Sequence, residues 1–331
     1  SWDILRIKFK SQFMRLLVIY NPVSGRGRSR RLFEKVIDHL EAWGCHLRVI
    51  ETAAAGDAEM WLRRLHVRSY DRVVIAGGDG TINEAVNGLA DGNADCPLAI
   101  IPTGTANVLA CEMGLPVNAD IIARTIVRGK AVPVALGMAD SRYFILMAGA
   151  GFDAHVVAGV SPTQKARLGK LAYVLSSFRT FFSYRFPRYR VTVDDRVFEV
   201  ASVIVTNACH YAGPYVIAPT ARLQAARLHI CLFERSGRLA AFKYGLGLLL
   251  GRLPRMSGFT IVEGKRIQIA GPPLDPVQID GDLSALLPLD IRMLNEAIDL
   301  VVPDSYAALS EVRAAHEQAR PAEPARNSAV G

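Results

Sequence analysis

The run Gly77-Gly78-Asp79-Gly80-Thr81 lies between four apolar residues, Val73-Val74-Ile75-Ala76, and the stretch Ile82-Asn83-Glu84-Ala85-Val86-Asn87. The apolar run reads as a buried parallel strand. Ile82, Ala85, Val86 and Leu89 recur on one side of the segment that follows, which reads as a helix. Glycines at a strand-to-helix turn remove Cβ atoms, so a phosphate chain can approach the backbone. Thr81 is placed to cap the helix and to offer a hydroxyl. A carboxylate would repel phosphate, so Asp79 implies a chemical role, either holding Mg²⁺ or taking a proton from an attacking hydroxyl. A tight turn of an α/β fold is the alternative.

Two further segments repeat the design. Arg15–Tyr20 reads as a strand, Asn21-Pro22-Val23-Ser24-Gly25-Arg26-Gly27-Arg28 as a polar loop, and Leu32, Phe33, Val36, Ile37 and Leu40 as the apolar face of a helix. The loop lacks the Gly-Lys-Ser/Thr ending of a P-loop. Leu98–Ile101 reads as a strand, Pro102-Thr103-Gly104-Thr105-Ala106-Asn107 as a loop, and Val108-Leu109-Ala110 opens a helix. Three such loops converge at the carboxyl edge of a parallel sheet, where ligands of open α/β sheets bind.

Together Asn21-Pro22-x-Ser24-Gly25, Gly77-Gly78-Asp79-Gly80-Thr81-x-Asn83-Glu84 and Pro102-x-Gly104-Thr105-x-Asn107 resemble the nucleotide-site motifs of the diacylglycerol kinase catalytic family, from about Met14 to about Pro303. NAD kinases and phosphofructokinases share the Gly-Gly-Asp-Gly turn; the third motif favours lipid kinases. The resemblance implies an ATP- and Mg²⁺-dependent kinase acting on a diacylglycerol-like or sphingoid- or ceramide-like hydroxyl. It places the nucleotide on Asn21, Pro22, Val23, Ser24, Gly25, Thr52, Gly77, Gly78, Asp79, Gly80, Thr81, Ile82, Asn83, Thr105 and Asn107. In Gln278-Ile279-Asp280-Gly281-Asp282 the family usually has Asp-Gly-Glu, which puts the proton acceptor on Asp282, one methylene shorter. On chemistry alone Asp79 and Asp282 compete as general base, Asp280 can orient Mg²⁺ or a basic partner, and a hairpin turn is the plain alternative. Catalytic Mg²⁺ is assigned to Asp79 and Asp280. Gly149-Ala150-Gly151-Phe152-Asp153 resembles the family's cleft-facing segment. A structural Mg²⁺ site of related enzymes is not expected, because Ala225 stands where their aspartate would be and offers no hard oxygen. An NAD kinase and a non-catalytic, membrane-associated nucleotide sensor remain the competing functions.

A chain of 331 residues can bury two cores. The expected division is an extension at 1–13, an α/β nucleotide domain at 14–132 completed by about 296–308, a mainly antiparallel β-sandwich lipid domain at 133–295, and a disordered tail at 311–331. The sandwich strands are read at Tyr143–Ala148, Tyr189–Val193, Val197–Thr206, Tyr215–Ala218, Leu228–Phe233, Thr260–Glu263 and Arg266–Ala270, with helices at about Leu168–Thr180 and Leu239–Leu250.

No apolar run approaches a membrane span, no signal peptide is evident, and Cys45, Cys96, Cys111, Cys209 and Cys231 show no metal spacing. A cytoplasmic protein with reduced thiols, peripheral at the inner membrane face, is expected. His155 and His210 are read as structural. The net charge of +8 admits anionic partners. From Ser161 to Arg190 there are seven basic residues, among them Lys165, Arg167 and Lys170, interleaved with aromatics and without one acid. That pattern suits an anionic bilayer surface; a basic helix packing its aromatics inward is the alternative. No nucleic-acid module accompanies it, and a homodimer is left open.

Overall fold

The computed structural model describes residues 14–25, 27–90, 96–161, 164 and 170–309, without the side chains of residues 28, 170–171 and 295–297. The extension, the tail, Lys165 and Arg167 lie outside the described residues, as does the side chain of Lys170.

The first half alternates as its periodicity requires. Strands β1 (Arg15–Tyr20), β2 (His46–Glu51), β3 (Arg72–Gly77) and β4 (Leu98–Pro102) are separated by helices α1 (Gly27–Ala42), α2 (Asp57–Arg64) and α3 (Asp79–Ala90). The strands pair in parallel in the order β2-β1-β3-β4, and α4 (Val108–Glu112) and α5 (Ala119–Arg128) follow. β1, β3 and β4 are apolar without alternation because both faces are covered. Each fully buried Val, Leu or Ile there is worth about 1.5–3 kcal/mol.

The second half is antiparallel. β7 (Met147–Ala150), β10 (Ser202–Thr206), β13 (Leu228–Phe233), β14 (Phe259–Gly264), β16 (Pro276–Ile279) and β17 (Asp282–Leu286) form a six-stranded sheet in the order β14-β13-β10-β7-β16-β17. Against it packs a second layer containing β8 (Tyr189–Val193), β9 (Arg196–Val200) and β15 (Arg266–Ala270), with Tyr189, Val191, Val203, Ile230, Ile267 and Ile279 in the core between them.

That second layer is not a separate sheet. β18 (Leu289–Val302) pairs with β15 at one end and, in parallel, with β4 at the other through Leu300 and Leu98. β5 (Lys130–Ala139), which the sequence reading did not identify, runs antiparallel along β18, with a register shift between Met293 and Ala297. One ten-stranded sheet therefore passes through both halves.

Two expected strands are divided. Tyr143–Ala148 splits into β6 (Arg142–Phe144) and β7 because the N–H groups of Ile145, Leu146 and Met147 turn to a carboxylate instead of a neighbouring strand. Val197–Thr206 breaks at Ala201, where the chain leaves β9 for the other layer. Tyr215–Ala218 shortens to β12 (Tyr215–Val216), paired with β11 (His210–Tyr211). The expected helices are α7 (Lys170–Ser183) and α8 (Arg238–Leu249); α6 (Phe152–Ala158) precedes them.

Candidate active site

The parallel register brings the three glycine loops to one edge. Tyr20 lies beside Ala76, and Gly77 beside Pro102. Asn21 N donates to Ala76 O at 2.9 Å and Thr103 N to Gly77 O at 3.1 Å, which extends the ladder into the loops. The loops then touch through backbone: a Cβ on Gly104 would lie 2.4 Å from Gly78 Cα, and one on Gly25 would lie 2.2 Å from Thr103 O. Only glycine permits that approach, and Gly25 also holds φ +73°. The side chains cross-brace the loops. Asn21 Nδ2 donates to Thr81 Oγ1 at 2.9 Å, Asn21 Oδ1 accepts from Val23 N at 3.1 Å, and Thr103 Oγ1 donates to Ser24 Oγ at 3.2 Å. Thr52 joins this edge, its N–H on Tyr20 O.

Not every expected nucleotide residue faces the cradle. Thr81 is buried inside the first turn of α3 instead of capping it. Ile82 is in the core with its N–H on Gly78 O, and the amide of Asn83 turns toward the sandwich. Pro22 and Val23 are exposed, and Gly78 and Thr105 are partly open. Asn107 (φ 50°) opens α4 and donates to Gly104 O at 3.1 Å, while its Oδ1 is buried with no hydrogen-bond partner.

Asp79 begins α3 and accepts from Leu109 N of α4 at 3.3 Å. One residue on, a Cβ at Gly80 would lie 2.1 Å from Oδ2 of Asp282. The Asp282 carboxylate, from the sandwich half, thus rests directly on the Gly-Gly-Asp-Gly turn. Glu84, one helical turn further, accepts from Ala58 N at 3.3 Å. Burial pushes its carboxyl up; the N–H groups of Gly56 and Ala58 and the Arg142 charge oppose that rise, and Asp282 adds to it.

Asp280 and Gly281 form the two-residue loop between Ile279 and Asp282, with φ +47° and +86°. Left-handed pairs of this kind make tight hairpin turns, which accounts for Asp-Gly. The Asp280 side chain is buried and carries four donors. Oδ1 accepts from Leu146 N at 3.0 Å and Met147 N at 2.8 Å; Oδ2 accepts from Ile145 N at 3.0 Å and Asn83 Nδ2 at 2.8 Å. Burial pushes its pKa up to about 6, with the four N–H groups opposing the rise. Its lone pairs are committed, so in this arrangement none is left for a metal or a substrate proton.

The contact continues outward. Arg142 Nη2 donates to Asn83 Oδ1 at 3.0 Å and Nη1 to Glu59 Oε2 at 2.6 Å, and Asn87 exchanges hydrogen bonds with the backbone of Tyr143. Sequence reasoning singled out neither Asn87 nor Arg142. Asn83 and Asn87, four apart on a helix with an apolar face, were the available signal; Arg142 left none.

Asp153 starts α6 and accepts from Tyr211 Oη. Burial raises both groups. His155 and His210 each meet a carboxylate, Asp275 at 2.8 Å and Glu112 at 2.7 Å. The fold also brings Glu112, Cys209 and His210 ligand atoms within 4.8 Å of one another, a grouping invisible in their spacing. Near Ala225 the chain makes a turn, with Ala225 N on Arg222 O at 3.0 Å.

A glycine-lined edge on a parallel sheet, met by a carboxylate from an antiparallel sandwich, has the layout a two-half phosphotransferase needs. The comparisons specify it. Residues 15–139 match the family model described as the diacylglycerol kinase catalytic domain, and residues 147–302 match the YegS C-terminal NAD kinase beta sandwich-like domain. A Bacillus subtilis protein named diacylglycerol kinase is 29% identical over 88% of this chain and 98% of its own length. One from Staphylococcus carnosus is 27% identical over 87% and 95%. A crystal structure described as a putative diacylglycerol kinase from Bacillus anthracis superposes with a TM-score of 0.77 at 28% identity, over 91% of this chain and 99% of that one. The chain belongs to the diacylglycerol kinase catalytic family and is an ATP-dependent lipid kinase.

Proposed function

We propose that this lipid kinase transfers the γ-phosphoryl group of ATP to the free hydroxyl of a diacylglycerol, with Asp282 as proton acceptor. The supporting observation is the contact of Asp282 with Gly80: a carboxylate that rests on the glycine turn would be within reach of a hydroxyl approaching a phosphate held there. Aspartate is short for this role, and the absent Gly80 side chain compensates by letting the backbone close in. The hydroxyl oxygen attacks the γ-phosphorus, its proton passes to Asp282, the bond from phosphorus to the β,γ-bridging oxygen breaks, and ADP leaves. The loops contribute position and N–H donors; the base contributes on the order of 10²–10⁴-fold.

Mg²⁺ fits the residues at the start of α4. Asp79 supplies a carboxylate there, and the unpartnered Oδ1 of Asn107 supplies a second hard oxygen. Bound beside the phosphates, the ion would neutralise developing charge. Asp280, with its oxygens occupied, is a positioning residue: it ties Asn83 of the nucleotide half to the 145–147 backbone of the sandwich and fixes the turn that presents Asp282.

Diacylglycerol stays in a bilayer, so the kinase meets it peripherally; no helix among the described residues is long and apolar enough to cross a membrane. The test is γ-³²P-ATP offered with diacylglycerol, ceramide, sphingosine and NAD. Label in phosphatidate supports the reading. Label in the NAD product, in another lipid, or nowhere overturns it.

A further inference from the structure

Two helices of the sandwich half are built inside out. Helix α7 buries Ala172, Ser176 and Thr180, the small and polar positions at four-residue spacing, with Ser176 Oγ donating to Val156 O at 2.6 Å. Its opposite side, Val174, Leu175, Phe178 and Phe182, is 53–65% exposed. Helix α8 does the same. It buries Tyr244 and Gly247 and exposes Leu239, Phe242, Leu246 and Leu249, with Leu250 just beyond its end, at 46–68%. The burial pattern of a surface helix is ordinarily the reverse. These four and five residues make nine of the nineteen large apolar side chains exposed among the described residues.

The two faces adjoin. Arg238 at the start of α8 donates to Phe182 O near the end of α7 at 2.7 Å, and the rings of Phe178 and Phe182 lie 4.9 Å apart. Within the two segments that carry them, charge has one sign, with Glu234 the nearest acid beside α8. No acidic residue occurs from Ala154 to Val193 or from Arg235 to Val262, while Arg179, Arg185, Arg238, Lys243, Arg252 and Arg255 are exposed. The surface is also near the chemistry: α6 packs against α7 on one side and against the hairpin carrying Asp282 on the other.

We infer that the paired α7–α8 face is the surface by which the kinase seats itself in an anionic bilayer, its leucines and phenylalanines entering between headgroups while the surrounding arginines and Lys243 meet lipid phosphates. The inference rests on the lipid-acceptor reading above. An apolar centre ringed by positive charge suits an anionic interface, where a nucleic acid would need the charge without the leucines. Helix α7, within the basic stretch recognised in the sequence, supplies half of this surface. Helix α8, which the sequence reading gave as a helix without a role, supplies the other half.

The experiment is co-sedimentation of the full chain with phosphatidylcholine vesicles, with and without phosphatidylglycerol, at low and high salt. The variants are Phe178→Ser with Phe182→Ser, Leu246→Ser with Leu249→Ser, and Arg179→Gln with Lys243→Gln. Either serine pair should weaken binding at least tenfold at both salt concentrations. The glutamine pair should weaken it by about fivefold per charge, on anionic vesicles and at low salt only. Phosphorylation of a monomeric short-chain diacylglycerol should be unchanged in all three. Unaltered vesicle binding in the serine pairs overturns the inference. So does a sedimentation-velocity dimer that the serine pairs dissociate, since a second copy would then own the face. Failure of the lipid-acceptor reading looks different: the unaltered protein would not phosphorylate the short-chain lipid, whatever its vesicle binding.

Discussion

The glycine-loop edge and the Asp280–Asp282 hairpin are assembled in opposite ways. The edge is made of backbone and short-range motifs: each loop follows its own strand, and glycine lets the three close together. The hairpin is made of side chains reaching across the chain, with Asp280 bonded to partners 133–135 residues away on one side and 197 on the other. Two carboxylates two positions apart therefore differ in kind. Asp282 lies against Gly80 of the glycine turn, and Asp280 is sealed among N–H donors. A local motif can be weakened one residue at a time, whereas the hairpin depends on a single buried charge.

The largest effect should follow removal of the facing carboxylates. Asp282→Asn is expected to lower kcat 10²–10⁴-fold and Asp79→Asn to below about a tenth, both with unchanged circular dichroism and Tm. Near-normal turnover in Asp282→Asn would move the proton to Asp79 and dissolve the contrast between edge and hairpin. Gly80→Ala tests their contact. The new methyl meets Oδ2 of Asp282, so steady-state kinetics should show kcat reduced about 10²-fold, while alanine in the helix leaves thermal stability equal or higher.

Asp280→Asn should act on stability first. Its amide would direct N–H groups at N–H groups, costing about 3 kcal/mol in urea titrations. The pH dependence has a sign. The unfolded carboxyl releases its proton near 3.8 and the folded one near 6, so the native state holds more protons between them. Stability from this group is full below about 4 and declines as pH rises through 6, by about 3 kcal/mol. The wild-type margin over Asp280→Asn should thus be wider at pH 4 than at pH 7; a constant margin would show that folding leaves the Asp280 pKa unshifted. The smallest effect belongs to Gly27→Ala, where nothing lies within 4 Å of the new methyl, and Tm and kcat should both hold.

The sequence disclosed what is local. Glycines that must bring three turns together leave a mark at each turn, and the family motifs fall on those marks. It did not disclose Arg142, or that the Asn83 amide reaches across to Asp280 and Arg142, because those contacts exist only after distant segments meet. Aromatic residues were equally ambiguous. Tyr184 and Tyr189 are buried and bonded to each other at 2.7 Å, whereas Phe178 and Phe182, in the same stretch, face outward. β5 was missed because its apolar residues straddle the expected domain boundary.

The shared strands give the kinase an unusual mechanics. Two bodies joined by a linker can swing; two bodies joined by β5 and β18 can only flex as a leaf spring flexes, by twisting a hydrogen-bonded ladder. Compliance concentrates where the register slips between Met293 and Ala297, the one interruption along that ladder. Any opening between the halves would then be a distributed, small-amplitude deformation with a restoring force, and the structure holds the Asp282 carboxylate against the Gly-Gly-Asp-Gly turn.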